Sequence, residues 1–128
     1  MLSIDTILLV DDDYVSNYLT ERHIKKAGIA NTIKSVKNGE EALTYLAEPV
    51  NKRPDLILLD INMPEMDGLE FLKYFKQMTL DQSIRIILLT AAIDQEKKDR
   101  LNDLGYNEIM EKPFTGDKLK SLIINDLK

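Results

Sequence analysis

Short, nearly uninterrupted apolar runs recur along the chain and are separated by segments with a helical pattern. The clearest runs are 7–10, 56–59 and 86–89. Four apolar residues bounded by polar or turn-forming residues are typical of a strand buried on both faces, as in a parallel sheet. A weaker alternation at 32–36 predicts an edge strand, and 109–110 predicts the middle of a short fifth strand.

Five helical segments lie between and after these strands. Residues 14–27 predict a helix with Asp13 as its N-cap and Gly28 after its end, and Asn38 with Glu41 forms a capping box for the second helix. The other predicted helices cover 67–78, 94–104 and the segment capped by Thr115. Five strands that alternate with five helices predict an α/β fold with a parallel sheet and right-handed crossovers.

Composition limits the class of protein. The 128 residues suit one domain over 1–128, the net charge is -5, and there is no cysteine. The acidic balance and the lack of a long basic run argue against direct binding of nucleic acid. No apolar run reaches membrane-spanning length, and the N-terminus lacks the cationic flank of a signal peptide, so a soluble cytoplasmic protein is expected.

Polar side chains follow four of the predicted strands, where each strand ends. The first strand is followed by Asp11 and Asp12, the third ends in Asp60, the fourth in Thr90, and the fifth runs to Lys112. Each residue alone has an ordinary explanation as a turn former, strand end or solvated side chain. Together they point to a site, because the carboxyl ends of parallel strands meet at one edge of the sheet.

Clustered carboxylates need a cation nearby. Two unit charges about 4 Å apart repel by about 4 kcal/mol at an effective dielectric of about 20. The predicted cluster offers oxygen ligands without histidine or cysteine, which favours Mg2+ over zinc or copper. Beside such an ion, Asp60 is a candidate nucleophile toward phosphorus, with Thr90 and Lys112 binding phosphoryl oxygens.

These residues resemble a known family. The segment 10–13, the run 56–68, the pair Thr90 and Ala91, and the segment 112–114 are similar to the receiver domains of bacterial two-component response regulators. The resemblance covers essentially the whole chain. It implies a flavodoxin-like (βα)5 fold with a five-stranded parallel sheet of order 2-1-3-4-5.

The resemblance also implies roles for individual residues. Asp60 would be the phosphoacceptor, and the Mg2+ site would consist of Asp60, Asp11, Asp12 and the backbone carbonyl of Asn62. Thr90 would be the switch hydroxyl, Lys112 the lysine of the family motif, and Pro113 would follow a cis peptide bond.

One position departs from the family pattern. The family usually has an aromatic residue three positions before the lysine, and this chain has Ile109 there. Ile109 cannot swing a ring between solvent and core as Thr90 moves. The aromatic half of the Thr90 and Ile109 switch is therefore not expected to operate as it does elsewhere in the family.

The implied function is a signalling switch with no enzymatic activity beyond its own phosphorylation and dephosphorylation. A histidine kinase or a histidine phosphotransfer protein would supply the phosphoryl group. Phosphorylation would then change a surface on the fourth helix, fifth strand and fifth helix, which would bind a downstream protein or a second copy in a homodimer. Both a stand-alone receiver and a domain excised from a longer regulator fit the sequence.

Three alternatives stay open. A haloacid-dehalogenase-type phosphatase or phosphotransferase also uses an aspartate with Mg2+, but it needs a second aspartate where this chain has Asn62. A flavodoxin would need a hydroxyl-rich and glycine-rich phosphate loop where the chain has acids at 11–13. The third is an interaction module that works independently of phosphorylation.

Overall fold

The computed structural model describes residues 4–61, 68–78, 84–91, 95–106 and 108–125. The strands are β1 (Ile4–Val10), β2 (Ala30–Val36), β3 (Leu56–Asp60), β4 (Arg85–Thr90) and β5 (Ile109–Glu111). The helices are α1 (Tyr14–Ala27), α2 (Gly39–Ala47), α3 (Gly68–Gln77), α4 (Gln95–Asp103) and α5 (Gly116–Asn125). The strands form one parallel sheet with the order β2-β1-β3-β4-β5, so the predicted fold and strand order are confirmed.

The helices cover both faces of the sheet because side chains alternate along each strand. On one face, Leu8, Ile57 and Leu88 belong to a core that α2, α3 and α4 complete. On the other face, Leu9 and Leu58 pack with buried residues of α1 and α5. This double covering explains why β1, β3 and β4 are apolar almost throughout.

The first two strands are longer than their apolar runs predicted. The ladder between β1 and β2 begins at Ile4 and Ala30. It includes Thr6, paired with Thr32, and the Asp55 carboxylate accepts hydrogen bonds from the backbone N–H groups of Asp5 and Thr6, at 2.9 and 3.2 Å. A partner distant in sequence therefore satisfies backbone groups that local hydrophobicity did not mark as strand.

The helix caps follow the predicted chemistry. The Asp13 side chain accepts from two N–H groups at the start of α1, and Gly28 ends that helix at a φ of 65°, in the left-handed region. The Asn38 side chain accepts from the Glu41 N–H at 2.8 Å, but the Glu41 carboxylate accepts from the N–H of Lys37 at 2.8 Å and not from that of Asn38, so the predicted capping box differs in its second bond. Thr115 accepts at 3.1 Å from the N–H of Lys118 in α5.

The fourth helix, α4, buries few apolar side chains, as its sequence predicted. Leu101 is the one residue of α4 that is fully buried, and Leu104 just beyond the helix is partly buried against the same core. A helix with so little apolar contact is held weakly. Among the described residues, no helix is both long enough and apolar enough to span a membrane.

Candidate functional site

Asp60 is the last residue of the central strand β3, and its side chain is almost fully buried. In the ladder with β4, its Cα pairs with that of Leu89, and the following N–H, of Ile61, donates to the Leu89 carbonyl at 3.1 Å. The carboxylate therefore sits on a rigid part of the sheet, at the edge where parallel strands present their carboxyl ends.

Asp11 is fully buried and accepts four hydrogen bonds. Its Oδ1 accepts from the Asp13 N–H at 2.9 Å, and its Oδ2 accepts from the Ser16 hydroxyl at 2.8 Å and from the Lys112 ammonium at 2.6 Å. Its backbone carbonyl accepts from Asn17 Nδ2 at 2.8 Å. Both the position and the rotation of this carboxylate are therefore fixed.

Lys112 reaches both acids from the end of β5. Its Nζ lies 2.6 Å from Asp11 Oδ2 and 3.5 Å from Asp60 Oδ2. Its backbone N–H donates to the Thr90 carbonyl at 2.7 Å, and the peptide bond to Pro113 is cis. One ammonium thus lies between two carboxylates from neighbouring strands.

This pairing changes the protonation equilibria of Asp11 and Lys112. Burial by itself would raise the pKa of Asp11, but the hydrogen bonds from Lys112, Asp13 and Ser16 outweigh it and leave that pKa lower than usual. Burial would lower the pKa of Lys112, but Asp11 and Asp60 outweigh that effect and the pKa is raised. The site therefore holds an ionised acid next to a charged ammonium.

The acids are also close enough to share a cation. Carboxylate oxygens of Asp11, Asp12 and Asp60 lie within 4.8 Å of one another, and Asp12 is exposed. An open cleft of about 540 Å³ is lined by Asp12, Asp60 and Lys112, together with Ser16 on α1. An all-oxygen donor set that opens to solvent fits a hard divalent ion that keeps several waters. Asn62, whose backbone carbonyl was predicted to be a further ligand of the ion, lies outside the described residues.

The two predicted switch positions, Thr90 and Ile109, lie on the neighbouring strands β4 and β5. Thr90 is the fully buried last residue of β4. Ile109 begins β5, pairs with Leu88, and is partly buried against the core on the side of α3 and α4. Tyr106 also packs there, with the Lys76 Nζ 5.5 Å from its ring centre. Ile109 thus packs against the same hydrophobic core as α4.

Three residues of the site were not singled out from sequence. Ser16 and Asn17 bind Asp11, and the only sequence signal was their place in the first turn of a helix that directly follows the acids. At Gly68 an added Cβ would lie 2.7 Å from the Cα of Ile61, so glycine lets α3 begin against the residue after Asp60. A contact of this kind between residues that are not adjacent in sequence has no local signature.

Comparison with known proteins identifies the family to which this fold belongs. Residues 7–124 match the family model for the response regulator receiver domain. The chain is 34% identical over 119 residues to sporulation initiation phosphotransferase F of Bacillus subtilis (strain 168), a match that covers 93% of this chain and 90% of that protein.

Solved structures are similar throughout their length. A two-component response regulator from Cytophaga hutchinsonii superposes with a TM-score of 0.83 at 30% identity, covering 98% of each chain. The Mn2+-bound form of response regulator Rcp1 gives a TM-score of 0.78 at 28% identity, covering 92% of this chain and 88% of that one. These matches favour the receiver interpretation over the phosphatase alternative. The chain belongs to the response regulator receiver domain family.

Proposed function

We propose that this receiver domain is switched by phosphorylation of Asp60. Receiver domains are signalling switches and not enzymes in the usual sense. The observation that carries the assignment is the position of Asp60 at the end of the central strand, 3.5 Å from the Lys112 ammonium and beside two further acids. A carboxylate in such a place can attack phosphorus once the negative charge around it is neutralised.

We assign the cation role to Mg2+ held by Asp11, Asp12 and Asp60, with the carbonyl of Asn62 as a further ligand. The all-oxygen donor set and the open cleft suit Mg2+, and the similar response regulator Rcp1 is known in an Mn2+-bound form, which supports binding of a divalent ion. When bound, the ion supplies positive charge that offsets the acids and the incoming phosphoryl oxygens.

The transfer step is a displacement at phosphorus. An Asp60 carboxylate oxygen forms a bond to phosphorus while the bond from phosphorus to the donor's histidine nitrogen breaks. The electron pair returns to the imidazole, and the phosphoryl group moves to Asp60 without any redox change. Lys112, already within reach of Asp60, pairs with a phosphoryl oxygen, and the Thr90 hydroxyl donates to another.

The new contacts supply just enough free energy to move a weakly held element. Two charge-assisted hydrogen bonds at about 1.5–3 kcal/mol each provide about 3–6 kcal/mol. Inverting a 1:99 equilibrium needs about 5.5 kcal/mol. The responding element must therefore be loosely anchored, and α4, with Leu101 as its one fully buried residue, meets that requirement. We infer that α4, β5 and α5 form the surface to which a downstream protein or a second copy of the domain binds.

A phosphoryl mimic tests the switch directly. Beryllofluoride with Mg2+ is expected to change amide hydrogen exchange across α4 and β5, because contacts of Thr90 and Lys112 with the mimic shift the elements that follow them. Mg2+ and fluoride without beryllium provide the control. Unchanged exchange across 95–104, with the mimic shown to be bound by 19F NMR, would contradict the proposed readout.

We further propose that the phosphodonor protein docks on α1. Four apolar side chains of its N-terminal half are exposed beside the cleft: Tyr14, Val15, Tyr18 and Leu19. Val15 and Leu19 also line a smaller cavity of about 220 Å³ that reaches Lys112 and Phe114. Apolar side chains clustered next to a reactive site are typical of a surface for a protein partner.

Exposed tyrosines on two helices give a matched test of this docking. Tyr18 on α1 and Tyr74 on α3 are both 51% exposed. Tyr18→Ala is expected to slow phosphotransfer from a phosphorylated histidine phosphotransfer protein by about tenfold, because a well-packed interface aromatic contributes at least about 1–2 kcal/mol. Tyr74→Ala is expected to leave the rate unchanged.

Acetyl phosphate as the donor distinguishes an effect of Tyr18→Ala on docking from an effect on the phosphorylation step itself. It needs no protein interface, so Tyr18→Ala and the native protein should be phosphorylated by it at equal rates. Equal losses with both donors would instead assign Tyr18 to the site itself. A tenfold loss in Tyr74→Ala with the protein donor would place the docking surface elsewhere.

A further inference from the structure

Ser16 makes a contact that the proposed transfer step leaves unexplained. Its hydroxyl donates to Asp11 Oδ2 at 2.8 Å, the same oxygen that accepts from the Lys112 ammonium at 2.6 Å. Ser16 also lines the open cleft together with Asp60. One oxygen of a fully buried carboxylate thus has two donors, on α1 and at the end of β5.

The local fold holds Ser16 in this place. Ser16 is the third residue of α1, and its N–H donates to the capping carboxylate of Asp13 at 3.3 Å. The next residue, Asn17, donates to the Asp11 backbone carbonyl at 2.8 Å. The first turn of α1 therefore holds Asp11 by both its side chain and its backbone, and Asp11 cannot rotate without breaking these bonds.

The shared oxygen matters when Lys112 changes partners. Its ammonium is nearer to Asp11 than to Asp60, at 2.6 against 3.5 Å. An ammonium that turns toward a phosphoryl group on Asp60 lengthens its bond to Asp11. A buried carboxylate oxygen left without a donor is costly, so a second donor that stays in place lowers the barrier to that turn.

We propose that Ser16 is a positioning residue for this site, an inference that rests on the proposed metal-dependent function. Its hydroxyl fixes the Asp11 carboxylate in the orientation that a divalent ion requires. It also keeps Asp11 Oδ2 hydrogen-bonded when the Lys112 ammonium turns toward Asp60. Groups that orient a metal-binding carboxylate in this way commonly change metal affinity by 10- to 100-fold.

A titration with Mn2+ alone, followed by the electron paramagnetic resonance signal of the free ion, tests the proposal. Ser16→Ala is expected to bind Mn2+ about tenfold more weakly than the native protein. Ser16→Thr, which keeps the hydroxyl, is expected to bind within about twofold of native affinity. Thr44→Ala removes an exposed hydroxyl from α2, away from the cleft, and should match the native protein.

A measurement of stability distinguishes a positioning role of Ser16 from a role in folding. Alanine is a better helix former than serine, so Ser16→Ala should stay folded, and urea unfolding in the presence of EDTA checks this. Native Mn2+ affinity in Ser16→Ala would overturn the proposal, and so would Ser16→Thr binding as weakly as Ser16→Ala. Failure of the native protein itself to bind Mn2+ would instead refute the metal site on which the proposal rests.

Discussion

Replacing Asp60 by asparagine is expected to abolish phosphorylation by acetyl phosphate and Mg2+. The carboxamide keeps the size of the side chain but offers no anionic oxygen to attack phosphorus. We expect the rate of acyl phosphate formation to fall by about a thousandfold or more, equivalent to about 4 kcal/mol of activation free energy. Intact-protein mass spectrometry measures the phosphorylated fraction over time.

Asp13→Asn is the matched control for this substitution. Asp13 lines the same cleft, so its replacement removes one negative charge from the same surroundings. Asparagine is as good an N-cap as aspartate, so α1 should keep its cap. Phosphorylation of Asp13→Asn at a rate near that of the native protein is expected. A phosphorylated Asp60→Asn variant would show that another side chain is the acceptor.

The Asp60→Asn variant should also stay folded, which keeps the result interpretable. In the native protein the Asp60 carboxylate lies near two other acids and one ammonium. Removing its charge relieves repulsion with Asp11 and Asp12, while Lys112 keeps its shorter ion pair with Asp11. We therefore expect the free energy of unfolding either to rise or to fall by no more than about 1 kcal/mol.

The sequence predicts most of the fold because its signals are local. The apolar runs of β1, β3 and β4 are buried on both faces, and the caps at Asp13, Asn38 and Thr115 each need only a short stretch of chain. The acids and the lysine could be gathered at one edge because parallel strands present their carboxyl ends together. The topology thus converts residues far apart in sequence into neighbours.

The sequence could not predict the contacts that depend on how two segments are placed relative to each other. The N–H groups of Asp5 and Thr6 in β1 donate to the Asp55 carboxylate, about fifty positions away. The Ser16 bond to Asp11 depends on the direction in which α1 leaves the sheet. The ion pair of Arg85 with Glu108 joins β4 to the residue just before β5, and neither segment's sequence gave a reason to pair these side chains.

Arg85 joins three elements at the end of the sheet away from the proposed phosphorylation site. Its Nε lies 3.0 and 3.1 Å from the two carboxylate oxygens of Glu108, just before β5. Its Nη1 donates to the Ile123 carbonyl at 2.9 Å and its Nη2 to the Leu122 carbonyl at 3.0 Å. These are among the last four carbonyls of α5, which lack partners within the helix. One guanidinium thus caps α5 and fixes it to β4 and β5.

Arg85→Met is expected to cost about 2–3 kcal/mol in the free energy of unfolding. The side chains of Arg85 and Glu108 are only 19% and 24% exposed, so the substitution removes a cation from beside a largely buried carboxylate and removes the cap of α5. Breaking a fully buried pair costs about 3–5 kcal/mol, and the partial exposure here reduces that figure. Urea unfolding monitored by circular dichroism measures the change.

Arg100→Met is the control, and a double variant separates the two causes. Arg100 forms an exposed ion pair with Glu96 within α4, so its replacement should cost at most about 0.5 kcal/mol. Adding Glu108→Gln to Arg85→Met should restore about 1 kcal/mol, because the negative charge that Arg85 neutralised is then also removed, while the lost cap of α5 is not restored. Equal costs for Arg85→Met and Arg100→Met would show that burial adds nothing to the Arg85 pair.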